Sequence, residues 1–345
     1  MKVVSLDLHA ETTQMFVSDE NGQVLLEMPV PTEPKQLRRV VSAIPGPKCV
    51  VFEEGPLSAL IRDALGEVAQ EVVSCDPAYN ALIARDEDSD DERDARHLEK
   101  LFRLQAVRPV YIPPEPYLSL RSLLSHRLAL QQSATAVKAR IKALARRCGV
   151  ATGGRRLYQR RQRREVLPEM ASESMQWQIQ SLWRVLDALG REVGQGERAV
   201  RRLTRGIPVV ARLQQIPGVG PIVSATLVAW IADPWRFRNR NALTAYAGLG
   251  LGQGATNWQP VGPARASRRG NRQLKRVLFL AAVAAGRSRS ALAFRYHARR
   301  AEGWDAARAQ RDVARKILHI AWALWKKGGD YDDSLVNGKQ IGGQR

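Results

Sequence analysis

Asp7 sits inside the short apolar run formed by Val3, Val4, Leu6 and Leu8. A run of strand length with apolar residues on both faces belongs in the middle of a covered sheet. Burying an unpartnered polar group there costs on the order of 2–7 kcal/mol, and more for an ion. Asp7 therefore needs a metal ion or a basic partner, unless the strand is an edge strand with the carboxylate in water. A second apolar run, Cys49 to Phe52, ends in Glu53-Glu54-Gly55-Pro56. A third acidic group, Asp86, Glu87, Asp88, Asp90, Asp91, Glu92 and Asp94, leads into a helix carrying Ala95, Leu98, Leu101 and Phe102. Positions 91, 94, 98, 101 and 105 fall on one helical line, so Asp91 and Asp94 occupy the first turn of the stripe that Leu98 and Leu101 bury. The helix dipole favours acids at that end, but it does not explain two acids on the core-facing line. Three or four carboxylates at one spot repel each other unless cations lie between them. Oxygen-only ligands suit Mg²⁺ or Mn²⁺, and a pair of such ions can clamp the attacking and leaving oxygens of a phosphodiester.

The elements that must position these acids follow from the same stretch. Residues 1–9, 14–17 and 24–28 read as a three-stranded meander with a turn at Asp19-Glu20-Asn21-Gly22. A helix over 34–43 stops at Pro45-Gly46-Pro47, a strand covers 49–52, a helix 57–65 opens after Pro56, and a fifth strand covers 71–75. A further helix starts at Asp76-Pro77. The order strand-strand-strand-helix-strand-helix-strand-helix is that of a ribonuclease-H-like mixed sheet. In it strands one and four are neighbours, which brings Asp7 beside Glu53 or Glu54.

The remainder of the chain is helical and basic. Leu120, Leu123, Arg127, Leu130, Ala134, Val137, Ile141, Leu144 and Cys148 alternate by three and four, a heptad seam flawed by Arg127. The returning arm reads as two helices, 175–189 and 193–203, separated by Gly190. Between the arms, residues 138–164 carry eleven Lys/Arg, among them Arg155, Arg156, Arg160 and Arg161, and no acid. A run of one sign without counter-charge points to a nucleic-acid contact rather than a solvated face. Ile216-Pro217-Gly218-Val219-Gly220-Pro221 between two helices has the helix-hairpin-helix pattern, in which Gly218 and Gly220 let backbone N–H groups approach a phosphate, although such a hairpin also simply packs helices. From 234 to 301 there are fourteen Lys/Arg and no acid. Ser267, Arg268, Arg269, Arg272 and Lys275 lie there, in a basic loop entering a helix over 274–285. The last helix, 306–326, carries Val313, Ile317, Ile320 and Leu324 on one face, and Trp322 and Trp325 read as core rather than a stacking platform. Residues 328–345 read as a frayed polar tail.

Composition bounds the partners. The 345 residues carry 54 Lys+Arg against 34 Asp+Glu, a net charge of +20 with a pI near 10.6, which favours polyanions. No apolar run reaches the roughly 18–20 residues of a membrane span, and the polar residues from His9 onward break any signal-peptide pattern. Cys49, Cys75 and Cys148 have no metal-type spacing and read as thiols in a reducing cytoplasm. The expected fold class is α/β plus α. Residues 1–112 form the mixed-sheet domain, 113–205 a coiled-coil and basic insertion, 206–328 a helical domain with the helix-hairpin-helix, and 329–345 a polar tail.

Six motifs in order resemble the IS110 type of insertion-sequence transposase, also called bridge-RNA-guided recombinases. They are S-L-D-L-H at Asp7, V-F-E-E-G-P at Glu53, D-E-R-D-A-R at Asp91 and Asp94, I-P-G-V-G-P at 216–221, A-Y-A-G-L at 245–249 and R-A-S-R-R-G-N-R-Q-L-K-R at 265–276. The resemblance covers essentially the whole chain. It implies a RuvC-like Asp-Glu-Asp-Asp metal site at Asp7, Glu53, Asp91 and Asp94, with Glu54 as a substitute for Glu53. It also implies a coiled coil and a transposase domain whose serine attacks DNA from a partner subunit. Mg²⁺ or Mn²⁺, DNA, a structured noncoding guide RNA, a homo-oligomer (dimer or tetramer) and a bacterial cytoplasm with nucleoid association are implied as well. At the serine's position this chain reads Ala255-Thr256-Asn257 instead of a Ser-Gly pair, and Ser267 matches a different, structural or phosphate-contacting serine. Thr256 is therefore either the nucleophile or the mark of a changed activity. The competing expectations are a Holliday-junction-type metal nuclease using water and a nucleic-acid-binding relative without catalysis.

Overall fold

The fold was read from a computed structural model, which describes residues 1–77, 79, 91–256, 259–266 and 270–337; for 91–93, 251–256, 259–266 and 337 the backbone alone is described. The chain divides into two compact units, 1–113 and 114–345.

The first unit is a five-stranded sheet in the order β3-β2-β1-β4-β5, formed by β1 (Lys2–Leu8), β2 (Thr12–Ser18), β3 (Val24–Pro31), β4 (Lys48–Glu53) and β5 (Glu71–Cys75). β1 runs antiparallel to β2 and parallel to β4, and β5 is parallel to β4. These are the order and directions of a RuvC-like α/β domain. The β-branched residues of β1 and β4 are buried on both faces, as a central pair requires. Val4, Leu6, Val50 and Phe52 point to one face, where Leu37 and Val41 of α1 (Pro34–Ala43) and Ile61 and Leu65 of α2 (Ser58–Leu65) close the core. Val3, Cys49, Val51, Val73 and Cys75 point to the other face, covered by Leu98 and Phe102 of α3 (Asp91–Arg103). Burial, with Glu71 close by, pushes the Cys49 thiol up to about 12, so this cysteine is an inert thiol.

In the second unit, α4 (Tyr117–Arg147) and α6 (Glu173–Thr204) form an antiparallel hairpin, linked by α5 (Arg163–Val166). Val137, Ile141 and Leu144 pack there with Ile179, Trp183 and Leu186. α6 is one continuous helix through Gly190, not the two expected. The helix holds three glycines, Gly190, Gly194 and Gly196, each costing about 1 kcal/mol relative to alanine, which the buried Ile179, Trp183, Leu186 and Val200 outweigh. Arg127 fits the seam because its guanidinium crosses to Glu197, 3.0 Å away, and its stem lies against Gly196.

A helical core follows, built by α7 (Pro208–Leu213), α8 (Pro221–Ile231), α9 (Arg240–Tyr246), α10 (Arg272–Ala285), α11 (Ala291–Ala301) and α12 (Ala306–Lys327). α8 is buried all round from Ser224 to Ile231. Between α9 and α10 lies an antiparallel hairpin of β6 (Leu251–Thr256) and β7 (Gln259–Ala266), in a part of the chain expected to be helical. At its base Gly270 (φ +96°) lies so close to Gly248 that an added Cβ would sit 2.5 Å from that residue's Cα. Part of the tail is tied down, contrary to the expectation of fraying. Val336 is buried, and the Tyr331 N–H donates to Gln215 Oε1 over 2.8 Å. Trp322 packs on the core with its indole N–H on the Pro234 carbonyl, as expected.

Candidate functional site: carboxylates on the α3 face of the sheet

Residues 3, 5 and 7 of β1 face α3, since alternate residues share a face and Val3 packs with Leu98. The Ser5 hydroxyl, fully buried, donates to the Ala95 carbonyl over 2.7 Å. One row back, Ser18, which is paired with Val3, donates to Glu99 Oε1 over 2.5 Å. α3 therefore runs antiparallel to β1. A step of two strand residues covers about 6.6 Å and a step of four helix residues about 6 Å. The row that holds Ser5 against Ala95 is thus followed by one that aligns Asp7 with the first turn of α3, where Asp91 and Asp94 lie.

Parallel pairing of Leu6 with Phe52 puts Asp7 and Glu53 one residue further, on the same face, at the ends of adjacent strands. Asp7 is half-buried and Glu53 is exposed. Asp94 is exposed, so it does not point at the core; the buried stripe of α3 passes through Ala95, Leu98 and Glu99. The side chain of Asp91 lies outside the described residues. Glu54 follows β4 and its N–H donates to the Cys75 carbonyl.

Three polar residues on this face of the sheet were not read from the sequence. His9 Nε2 lies 2.7 Å from Asp7 Oδ2, giving the carboxylate a basic partner two residues along the chain. Gln14 is paired with Asp7 across the β1–β2 ladder, and its Oε1 is buried without a hydrogen-bond partner. Glu99 is buried and paired with Arg103, which also donates a hydrogen bond to the Ser18 hydroxyl. The spacing Asp7-Leu8-His9 could have suggested the first; the other two depend on cross-strand register and helix placement. Among the described residues no three His, Cys, Asp or Glu form a metal-holding group. On the Asp7 row the described residues place Asp7, Glu53 at the end of the adjacent strand and the unpartnered Gln14 amide oxygen, all oxygen donors of the kind a hard divalent cation takes.

The basic surfaces divide into paired and unpaired parts. Arg156 pairs with Glu169, and Arg160 and Arg163 with Asp187, whose acidity these arginines increase. The counter-charges lie just outside the 138–164 run that looked uncompensated. Arg155 and Arg161 are exposed and carry no ion pair among the described residues. Gly218 (φ +86°) abuts α10, where an added Cβ would lie 2.2 Å from the Ala281 carbonyl oxygen, so this glycine is explained by packing. Gly220 is exposed at the start of α8. Arg272 is exposed and Lys275 half-buried in the first turn of α10, capped by Asn271. Thr256 ends β6, paired with Gln259 at the hairpin tip, while Ser267, Arg268 and Arg269 lie outside the described residues. Among the described residues no helix is long and apolar enough to cross a membrane.

Comparison with known proteins gives matches over two parts of the chain. Residues 4–149 match the DEDD transposase family of IS110 type, and residues 210–297 match the transposase family IS116/IS110/IS902. The chain is 30% identical over 145 residues to an insertion element IS110 protein of 43.6 kDa from Streptomyces coelicolor, covering 42% of this chain and 36% of that one. It is 25% identical over 291 residues to the transposase for insertion sequence element IS1111A of Coxiella burnetii, covering 81% of this chain and 76% of the relative. One match falls on the mixed-sheet unit and the start of the helical hairpin, the other on the helical core with its β6–β7 hairpin. The chain belongs to the IS110 family of insertion-element transposases.

Proposed function

We propose that this chain is a DNA transposase that cuts and exchanges strands at a site built on Asp7, Glu53, Asp91 and Asp94. The observation that carries the proposal is the Ser5–Ala95 contact, because it sets α3 along β1 and so aligns the first turn of α3 with Asp7. Mg²⁺ or Mn²⁺ held by the four carboxylates would supply charge neutralisation at the scissile phosphate. His9 orients the Asp7 carboxylate, and the unpartnered Gln14 amide oxygen beside it would serve as a further oxygen ligand to the ion.

The nucleophile in this reading is the Thr256 hydroxyl. Its oxygen attacks phosphorus and gives up its proton, one DNA end becomes a phosphothreonine ester, and the displaced oxygen leaves as a free hydroxyl. Exposed Arg155, Arg161 and Arg272 contact phosphates, with Arg156, Arg160, Ser267, Arg268, Arg269, Lys275 and the backbone at Gly220 extending the contact. A structured noncoding RNA guides the choice of DNA, and the protein works as a homo-oligomer at the bacterial nucleoid. The net charge of +20 supports polyanion partners of both kinds.

The departure Ala255-Thr256-Asn257 favours a second reading, a metal nuclease that uses water. Incubation with cognate RNA, DNA and Mg²⁺ separates the two. The transposase reading expects a DNA-linked protein that survives denaturing gels, lost in Thr256→Ala and kept or increased in Thr256→Ser, whose primary alcohol is less hindered. Cleavage by Thr256→Ala with free ends and no adduct would establish the water-using nuclease.

A further inference from the structure

Between the distal halves of α4 and α6 lies an open concavity of about 410 Å³, bordered by Arg140, Leu144 and Arg147 on α4 and by Trp177, Ser181 and Leu182 on α6. Trp177 is 65% exposed at its edge. The neighbouring Trp183 does what a structural tryptophan does here: it is buried and its indole N–H donates to the Leu157 carbonyl. Arg140 and Arg147 are exposed and, among the described residues, have no carboxylate partner, unlike Arg156, Arg160 and Arg163 of the same basic stretch. Among the described residues no acid lines the concavity.

We infer that this concavity takes an unpaired nucleotide, its base stacked on Trp177 and its flanking phosphates held by Arg140 and Arg147. An indole face accepts any base, and Leu144 and Leu182 give an apolar floor against which the base edge is desolvated. Two arginines on the α4 side supply the phosphate contacts that a base-stacking site needs. A second copy of this chain fits the site less well. Symmetric self-association through the same patch would bring like charges together. A duplex does not fit either, since its bases are already stacked. The inference does not depend on the acid site or on Thr256.

The test uses the full chain with oligo(U), oligo(dT) and a duplex of the same length. One stacked base contributes on the order of 1–3 kcal/mol, so Trp177→Ala should weaken single-strand binding by about 5- to 150-fold. Duplex affinity and the salt dependence should stay unchanged, and Trp177→Phe should restore most of the loss. The Arg140→Ala/Arg147→Ala double variant should instead flatten the log–log salt slope for single strands by roughly 1.4, about 0.7 per lost contact. A larger Trp177 effect on oligo(U) assigns the site to RNA, and one on oligo(dT) to a DNA strand. Because Trp177 is exposed, the substitution should leave the unfolding midpoint unchanged. Equal losses on single strand and duplex, or no loss on either, would overturn the inference. So would a shift of Trp177→Ala to a smaller sedimenting species with single-strand binding intact, which would make the occupant a second copy.

Discussion

The Ser5 hydroxyl reaches the Ala95 carbonyl across 2.7 Å, joining the central strand to the helix that carries two of the four acids. The same hydroxyl lies 3.4 Å from the Phe16 carbonyl, so Ser5 ties β1, β2 and α3 at one point. Ser5→Ala removes a buried donor and should destabilise the protein by about 1 kcal/mol. Chemical denaturation is expected to show a lower midpoint with an unchanged m-value. A midpoint equal to wild type would mean that the contact does not hold α3.

Glu99 anchors the same helix one turn further on, against Ser18 and Arg103. Glu99→Ala removes the carboxylate from the partly buried Arg103 guanidinium, which keeps its bonds to Ser18 and to the Asp19 and Glu20 carbonyls, so the cost should be about 1.5–3 kcal/mol, that of a hydrogen bond to a charged group. Glu99→Gln keeps one hydrogen bond and should cost less. If denaturant unfolding ranks the two variants in the opposite order, the pair is not what fixes α3.

How much of this was legible in the sequence differs by element. The adjacency of Asp7 and Glu53 follows from two continuous apolar runs, because strands buried on both faces must sit side by side in the sheet. Asp94 lies on the same helical line as the buried Leu98 and Leu101 yet is exposed in the first turn of α3, and periodicity reports which line of a helix is buried but not where along the helix that burial begins. β6 was illegible because Leu-Gly-Gln-Gly-Ala-Thr has neither alternation nor β-branched residues until its end. Arg127 looked like a flaw in the seam until Glu197 was found opposite. No local pattern reports a partner that is far away in sequence.

The glycines at 218 and 46 offer a controlled comparison. Both have positive φ, +86° and +81°, but only Gly218 faces backbone, the Ala281 carbonyl, while Gly46 has open space around it. Gly46→Ala should cost only the left-handed backbone term, about 1–2 kcal/mol. Gly218→Ala should cost clearly more, because α8 and α10 must separate. Equal thermal shifts would contradict the close packing of that turn.

His319 supplies a pH signature. Its Nε2–H donates to Thr244 Oγ1 over 2.8 Å, and Thr244 in turn donates to the Arg240 carbonyl. Burial, with Arg240, Arg315 and Lys316 around it, pushes its pKa down to about 4. The unfolded chain takes up the proton near pH 6.5 and the native state only near 4, so the unfolded state binds more protons between those values. Stability should therefore fall as pH falls through that window. His319→Asn should remove part of the slope when its pH–stability curve is compared with wild type; parallel curves would show that the imidazole is not held neutral.

The central claim is that Asp7 belongs to a cation site with Glu53, Asp91 and Asp94, and Mn²⁺-dependent stabilisation measures it most directly. At a concentration one hundred times the dissociation constant, an ion that binds only the native state contributes about 2.7 kcal/mol. Wild-type protein should show an unfolding midpoint that rises with Mn²⁺ and returns on chelation. Asp7→Asn should fold without the ion and show no rise. A midpoint that climbs equally in both proteins, or in neither, would contradict the account.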